Sequence, residues 1–228
     1  MGPSRPPDDD ALTTAWTWLS ERRQAGPVCI VAPTQQQMSW LKIPPALQRV
    51  TTATLRTFSF YTFHGSVLVF WPQRKDLAKF DDCRGLTAIC VVPWDMERIQ
   101  DWVAAHGAGD LLGSRAEEVD AGIDPVAKAA IDSLARLINM STGLANQRDH
   151  AMSVEVLERL REAGIAWSPS GLYRYALASG QWSAEAAEEL RDRAAKIVEG
   201  HRYRIGRRSL RHDVVDRWRE RAAETPHD

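Results

Sequence analysis

Two hydrophobic rhythms divide this chain. Up to about residue 107 the apolar residues come in short unbroken runs, at 28–32 (VCIVA), 67–71 (VLVFW) and 88–92 (AICVV). Each run is rich in β-branched side chains, the pattern of a strand buried on both faces, since a half-buried strand would alternate. Each is followed at once by a proline, Pro33, Pro72 or Pro93, and a residue without an amide hydrogen ends a ladder. Helical patterns lie around the runs. Leu12, Trp16 and Leu19 share one face of a first helix that Asp10 can cap and Gly26-Pro27 ends. Residues 34–38 allow one or two turns, and Leu77 with Phe80 marks a short helix. Ile99, Trp102, Val103 and His106 line a further helix after Asp95, with Gly107 as its stop. Alternation of strand and helix predicts parallel pairing.

Residues 50–63 admit two readings. One is a fourth parallel strand at 50–55 followed by an aromatic loop, Phe58-Ser59-Phe60-Tyr61-Thr62-Phe63. The other is a hairpin in which 57–63 pairs with 67–71 around His64-Gly65, a two-residue turn signal. The fourth strand is favoured.

After residue 124 the period becomes 3.6 and stays there. Asp124-Pro125 is a cap with proline at the first helical position, and Ala127, Ile131, Leu134 and Ile138 follow as a stripe. Further helices are expected over 149–163, from Ser168-Pro169 to Gly180, from Ser183 to Gly200, and over 209–223. The predicted organisation is a loose arm at 1–7 and an α/β domain at 8–107. A linker at 108–123 and an all-helical domain of about five helices at 124–228 follow. The α/β part is expected to be a small three-layer unit with about four mostly parallel strands and no phosphate loop.

Composition narrows the class. The 228 residues are 44% hydrophobic and 26% charged, with a net charge of −1, which is ordinary globular usage. No run approaches the roughly 18 apolar residues of a membrane span, and MGPSRPPDDD does not read as a signal peptide. Three cysteines, at 29, 83 and 90, make no disulfide framework. The expectation is a bacterial-type cytoplasmic protein with no membrane contact.

Motifs exclude more than they assign. No glycine-rich loop follows any strand and no Gly-Lys-Ser/Thr occurs, so the backbone lacks the usual cradle for dinucleotides or nucleoside triphosphates. There is no G-x-S-x-G elbow. Cys29 and Cys90 read as small core residues, and Cys83 follows Asp81-Asp82, the wrong surroundings for a nucleophilic thiolate. The six histidines, at 64, 106, 150, 201, 212 and 227, include no i, i+4 pair. No metal site and no cofactor are therefore expected. Asp95 reads first as a helix cap. An unrecognised catalytic or ligand site would sit at the carboxyl ends of the strands, around Thr34, Arg74 and Asp95.

Charge is segregated towards the C-terminus. Between residues 200 and 221 stand eight arginines (202, 204, 207, 208, 211, 217, 219 and 221) against Asp213, Asp216 and Glu220. Arginine interleaved with Tyr203 and Trp218 can contact phosphates and stack on bases. The competing reading is a solvated, ion-paired helix end, with Asp213 and Arg217 at i, i+4. Residues 172–183 also echo a helix-turn-helix, but its second helix opens with Glu185, Glu188 and Glu189, which would repel phosphates.

The sequence thus points to a non-enzymatic binding or regulatory protein that contacts nucleic acid through Arg202, Arg204, Arg207, Arg208 and Arg211. The alternatives are a protein-interaction or structural component, with a protein partner or a second copy of itself, and an enzyme acting at the strand ends.

Overall fold

The structure is a computed structural model that describes residues 9–109, 111, 122–139, 144–204, 206 and 209–224. The arm expected at 1–7 and most of the linker expected at 108–123 lie outside the described residues. The chain divides into two compact units, Met1–Val103 with Ala108–Ala116, and Ala104–Gly107 with Glu117–Asp228.

The first unit is an α/β layer structure. Helix α1 (Asp9–Arg23) precedes β1 (Val28–Ala32), α2 (Gln35–Trp40), β2 (Thr51–Thr54), β3 (Gly65–Phe70), α3 (Arg74–Asp81), β4 (Leu86–Val92) and α4 (Gln100–Ala105). The helix α1 begins at Asp9, so Asp10 lies in its first turn and is not the cap expected of it. The four strands form one sheet in the order β2-β1-β3-β4, and every pairing is parallel.

Alternate residues of the strands feed two cores, because successive side chains point to opposite faces. Val28, Ile30, Ala32, Leu68, Phe70, Cys90 and Val92 meet Leu12, Ala15 and Leu19 of α1 and Met38 of α2. Cys29, Val31, Val67 and Val69 meet Phe58 and Phe80 on the other face. The aromatic segment after β2 is thus largely core. Phe58 stacks at 4.9–5.2 Å on Phe60, Phe63 and Phe80, and of the segment's aromatic side chains only Tyr61 is exposed.

Two details bear on the reading of the sequence. The favoured fourth strand at 50–55 is β2, parallel to β1, and His64-Gly65 is not the turn of the alternative hairpin. Gly65 opens β3 against Pro27, where an added Cβ would sit 2.2 Å from the Pro27 carbonyl oxygen, and the next amide, Ser66 N, donates to that oxygen. Second, β4 is an edge strand, not a central one. Its Ala88, Ile89 and Val91 are only partly buried, although the run is as apolar as β1 and β3.

The second unit is helical: α5 (Pro125–Ala135), α6 (Gln147–Glu162), α7 (Pro169–Ala178), α8 (Ala184–Val198) and α9 (Val214–Glu224). Four of the five start on a side chain that accepts from a first-turn amide: Asp124, Asn146, Ser168 and Ser183. These oxygens satisfy donors that have no partner inside the helix. Ala127, Ile131 and Leu134 of α5 are buried, with Leu157 and Leu160 of α6, Leu172 and Tyr173 of α7, and Leu190 and Ala194 of α8. Helices α7 and α8 pack as a hairpin, turning at Gly180 with φ +65°, and α9 lies along α5. No helix of the described residues is long and apolar enough to cross a membrane.

Candidate nucleic-acid interface

The basic stretch begins where α8 ends. Residues 201–204, 206 and 209 have no regular secondary structure, and α9 starts only at Val214. Five arginines and no acid fall between His201 and Arg211. This segment is fastened at both ends to α6. At its start the Tyr203 ring meets His150 edge-on at 5.3 Å and His201 at 4.5 Å. At its end the Glu155 carboxylate, 2% exposed, accepts from Ser209 N at 2.8 Å, Ser209 Oγ at 2.9 Å and Leu210 N at 3.1 Å. A buried acid thus finds three donors in one turn of chain, which offsets the cost of burying its charge.

His150 is itself fixed. Arg193 Nε, which can only donate, lies 2.8 Å from His150 Nδ1. The same guanidinium donates to Leu144 O at 2.8 Å and pairs with Glu189 at 3.5 Å, while Glu189 accepts from Leu144 N at 2.6 Å. Burial, then the charge of Arg193, holds the His150 pKa below that of a free imidazole. The ring is therefore neutral with its proton on Nε2. With Nδ1 occupied by Arg193 and Nε2 protonated, it has no free lone pair to serve as a general base.

The five named arginines stand differently. Arg202 and Arg204 are exposed on the anchored segment. Arg207 and Arg208 lie outside the described residues. Arg211 is held by Asp213 at 3.1 Å, which also takes Arg217 at 3.2 Å. The hydrogen bond from Arg211 keeps the Asp213 carboxyl below the usual range. Further along, Arg219 pairs with Asp216 at 3.0 Å and Arg221 donates to Ser133 Oγ at 2.6 Å. The exposed, ion-paired reading thus describes α9, and the acid-free reading describes the loop before it. Trp218 is only 2% exposed, so it is a core residue of α9 and no platform for a base, contrary to the sequence expectation. Tyr203 remains partly exposed.

Residues 123–219 match the model of a family described as a domain of unknown function, DUF1889. No curated protein and no solved structure matches the chain. The DUF1889 match spans α5 to α8, the whole basic loop and half of α9, and none of the sheet. It brings no activity with it.

The helix-turn-helix echo resolves as a plain helical hairpin. The first turns of α8 bury Ala184, Ala186 and Ala187 and expose Glu185, leaving no basic face to enter a groove.

The strand-end residues lie along one edge of the first unit, after three adjacent strands. Thr34 caps α2 by accepting from Gln37 N at 3.2 Å. Asp95 accepts from Glu97 N and from Arg98 Nε, both at 3.1 Å. Arg74 opens α3, whose cap is Gln73 with Asp76 closing back on it. Thr34 and Asp95 are thus occupied in starting helices. One feature of this edge was not legible beforehand. Trp71, directly after β3, has φ +53°, the one positive φ among described non-glycine residues. It is buried, with Trp40 edge-on at 6.1 Å. A depression of about 360 Å³ opens elsewhere, between the end of α1 and the Pro45–Leu47 turn, lined by Ser20, Arg23, Gln24, Ala46 and Leu47.

Proposed function

We propose that this is a non-enzymatic, cytoplasmic binding protein that contacts nucleic acid through the loop from His201 to Arg211. The observation that carries the reading is the double anchoring of an acid-free, arginine-rich segment. Anchoring at Tyr203 and Ser209 removes part of the ordering cost that a free basic tail would meet on binding. Arg202, Arg204, Arg207 and Arg208 supply the phosphate contacts, and Arg211 contributes less because Asp213 competes for it. Phosphate contacts of this kind are independent of sequence and give salt-dependent affinity. Three unpaired, buried cysteines fit a reducing compartment.

The test is fluorescence anisotropy with short random-sequence single- and double-stranded DNA and RNA from 50 to 300 mM salt. Four phosphate contacts predict a slope of log K against log salt of about −3 to −4. Arg202→Glu with Arg204→Glu should reduce that slope by about 2. Absence of binding at 50 mM salt would refute the reading and turn the search to protein partners.

A second reading, a ligand site at the strand ends, is favoured by Trp71. A buried, non-glycine residue held at positive φ costs about 1–3 kcal/mol, and such strain collects at functional sites. It stands where strand order reverses between β1 and β3, the place where open parallel sheets bind ligands. A metabolite screen by thermal shift, repeated on Trp71→Ala, separates the two readings.

A further inference from the structure

Among the described serines of the helical unit, Ser209 alone is exposed; Ser133, Ser153, Ser168, Ser170, Ser179 and Ser183 are all at least partly buried in or beside helices. It stands in non-helical chain, with Arg207 and Arg208 before it, Leu210 after it and Arg211 one further on. Its hydroxyl is also one of the three donors that fasten the end of the segment to Glu155. Ser209 N and Oγ both lie within 2.9 Å of the same Glu155 oxygen.

We infer that Ser209 is a phosphorylation site, read by a serine/threonine kinase that selects flanking arginines, and that its phosphate opens the Glu155 clamp. In the transfer, Ser209 Oγ attacks the γ-phosphorus of a nucleoside triphosphate. The bond from that phosphorus to the β,γ-bridging oxygen breaks, the nucleoside diphosphate leaves with the electron pair, and the hydroxyl proton passes to the kinase's base. The product cannot occupy the present geometry. The hydroxyl is a donor to Glu155; the phosphate that replaces it carries nearly two negative charges and no such donor at neutral pH. Placed against a carboxylate that is 2% exposed, it meets a like charge at hydrogen-bonding distance. The segment must then leave α6, and the phosphate it carries stands in the sequence one and two positions after arginines and two before another. The five positive charges of the segment fall to a net of about three, and the anchoring that organised it is lost. The consequence for affinity rests on the nucleic-acid reading above; the modification and the opening of the clamp do not.

The experiment uses the full chain with magnesium ATP and a broad-specificity, arginine-directed serine/threonine kinase, on wild type, Ser209→Ala and Glu155→Gln. The expected result is about one phosphate per chain, mapped to Ser209 by mass spectrometry, absent from Ser209→Ala and added faster to Glu155→Gln. Amide exchange at Ser209 and Leu210 should then rise at least tenfold in the phosphorylated wild type. Phosphate elsewhere, modification of Glu155→Gln but not of wild type, or unchanged protection of those two amides would overturn the inference. Anisotropy on the same samples is a separate readout. A phosphoprotein that opens and binds tenfold or more weakly supports both proposals. One that opens while neither form binds nucleic acid upholds the switch and refutes the binding reading.

Discussion

At the scale of single residues, Glu155 is the side chain that fastens the end of the basic segment to α6. Its removal leaves the amides of Ser209 and Leu210 and the Ser209 hydroxyl without their acceptor, so Glu155→Ala should cost about 1–3 kcal/mol in urea unfolding. Limited trypsin digestion should show the larger effect, as early cleavage within 202–211. The sequence offered no sign of this role. Glu155 is one of several acids on an amphipathic helix, and only the return of residues 209–210 in three dimensions selects it. Trp218 was misread for the matching reason: which face of α9 meets α5 decides whether an indole binds or packs. The cysteines were legible, because an unbroken apolar run leaves a thiol nowhere to ionise. Burial pushes Cys29 and Cys90 up to about 12. The unfolded chain ionises them near 9 and the folded chain does not, so stability present below pH 9 falls as pH rises from there to 12. The slope is about 1.4 kcal/mol per pH unit for each thiol. Chemical denaturation at pH 8, 9.5 and 10.5 checks this, and Cys29→Ala with Cys90→Ala should flatten the curve.

Elements were read better than residues where they carry their own punctuation. Asp124, Ser168 and Ser183 each precede a helical stripe, and each caps its helix. Ser183→Ala should therefore lower stability by about 1 kcal/mol. Strand order carries no such local mark. The runs at β1, β3 and β4 look alike, yet β3 is enclosed by two neighbours and β4 by one. Leu68→Ala, at 0% exposure in β3, should cost about 2–5 kcal/mol. Ile89→Ala should cost less, because its side chain on the edge strand is only partly buried. Equal losses in paired urea titrations would mean that β4 has a further neighbour. Parallel β2 is the opposite case. Its Thr-Thr-Ala-Thr is polar for a strand, and it is tolerated because it too is an edge.

For the whole molecule, each of the two units carries a core of its own, one on the two faces of a sheet and one among five helices. Expressed separately as 9–107 and 122–224, each should give a cooperative thermal transition. Loss of cooperativity in either piece would show that it needs the other. The matched family lies wholly within the helical piece, and so does the proposed interface. The order of the strands adds a consequence in time. Strand β1 is flanked by β2 and β3, so it gains its second neighbour only after the aromatic segment and Gly65 have been laid down and the chain has passed back across the sheet. The helical hairpin of α7 and α8, by contrast, closes between neighbours in sequence. Non-local pairing is slow to form and local pairing is fast. On dilution from denaturant the helical unit should therefore acquire its structure first, although it is synthesised after the sheet. A nascent chain would experience the reverse order, with the sheet given a head start that refolding in a test tube removes.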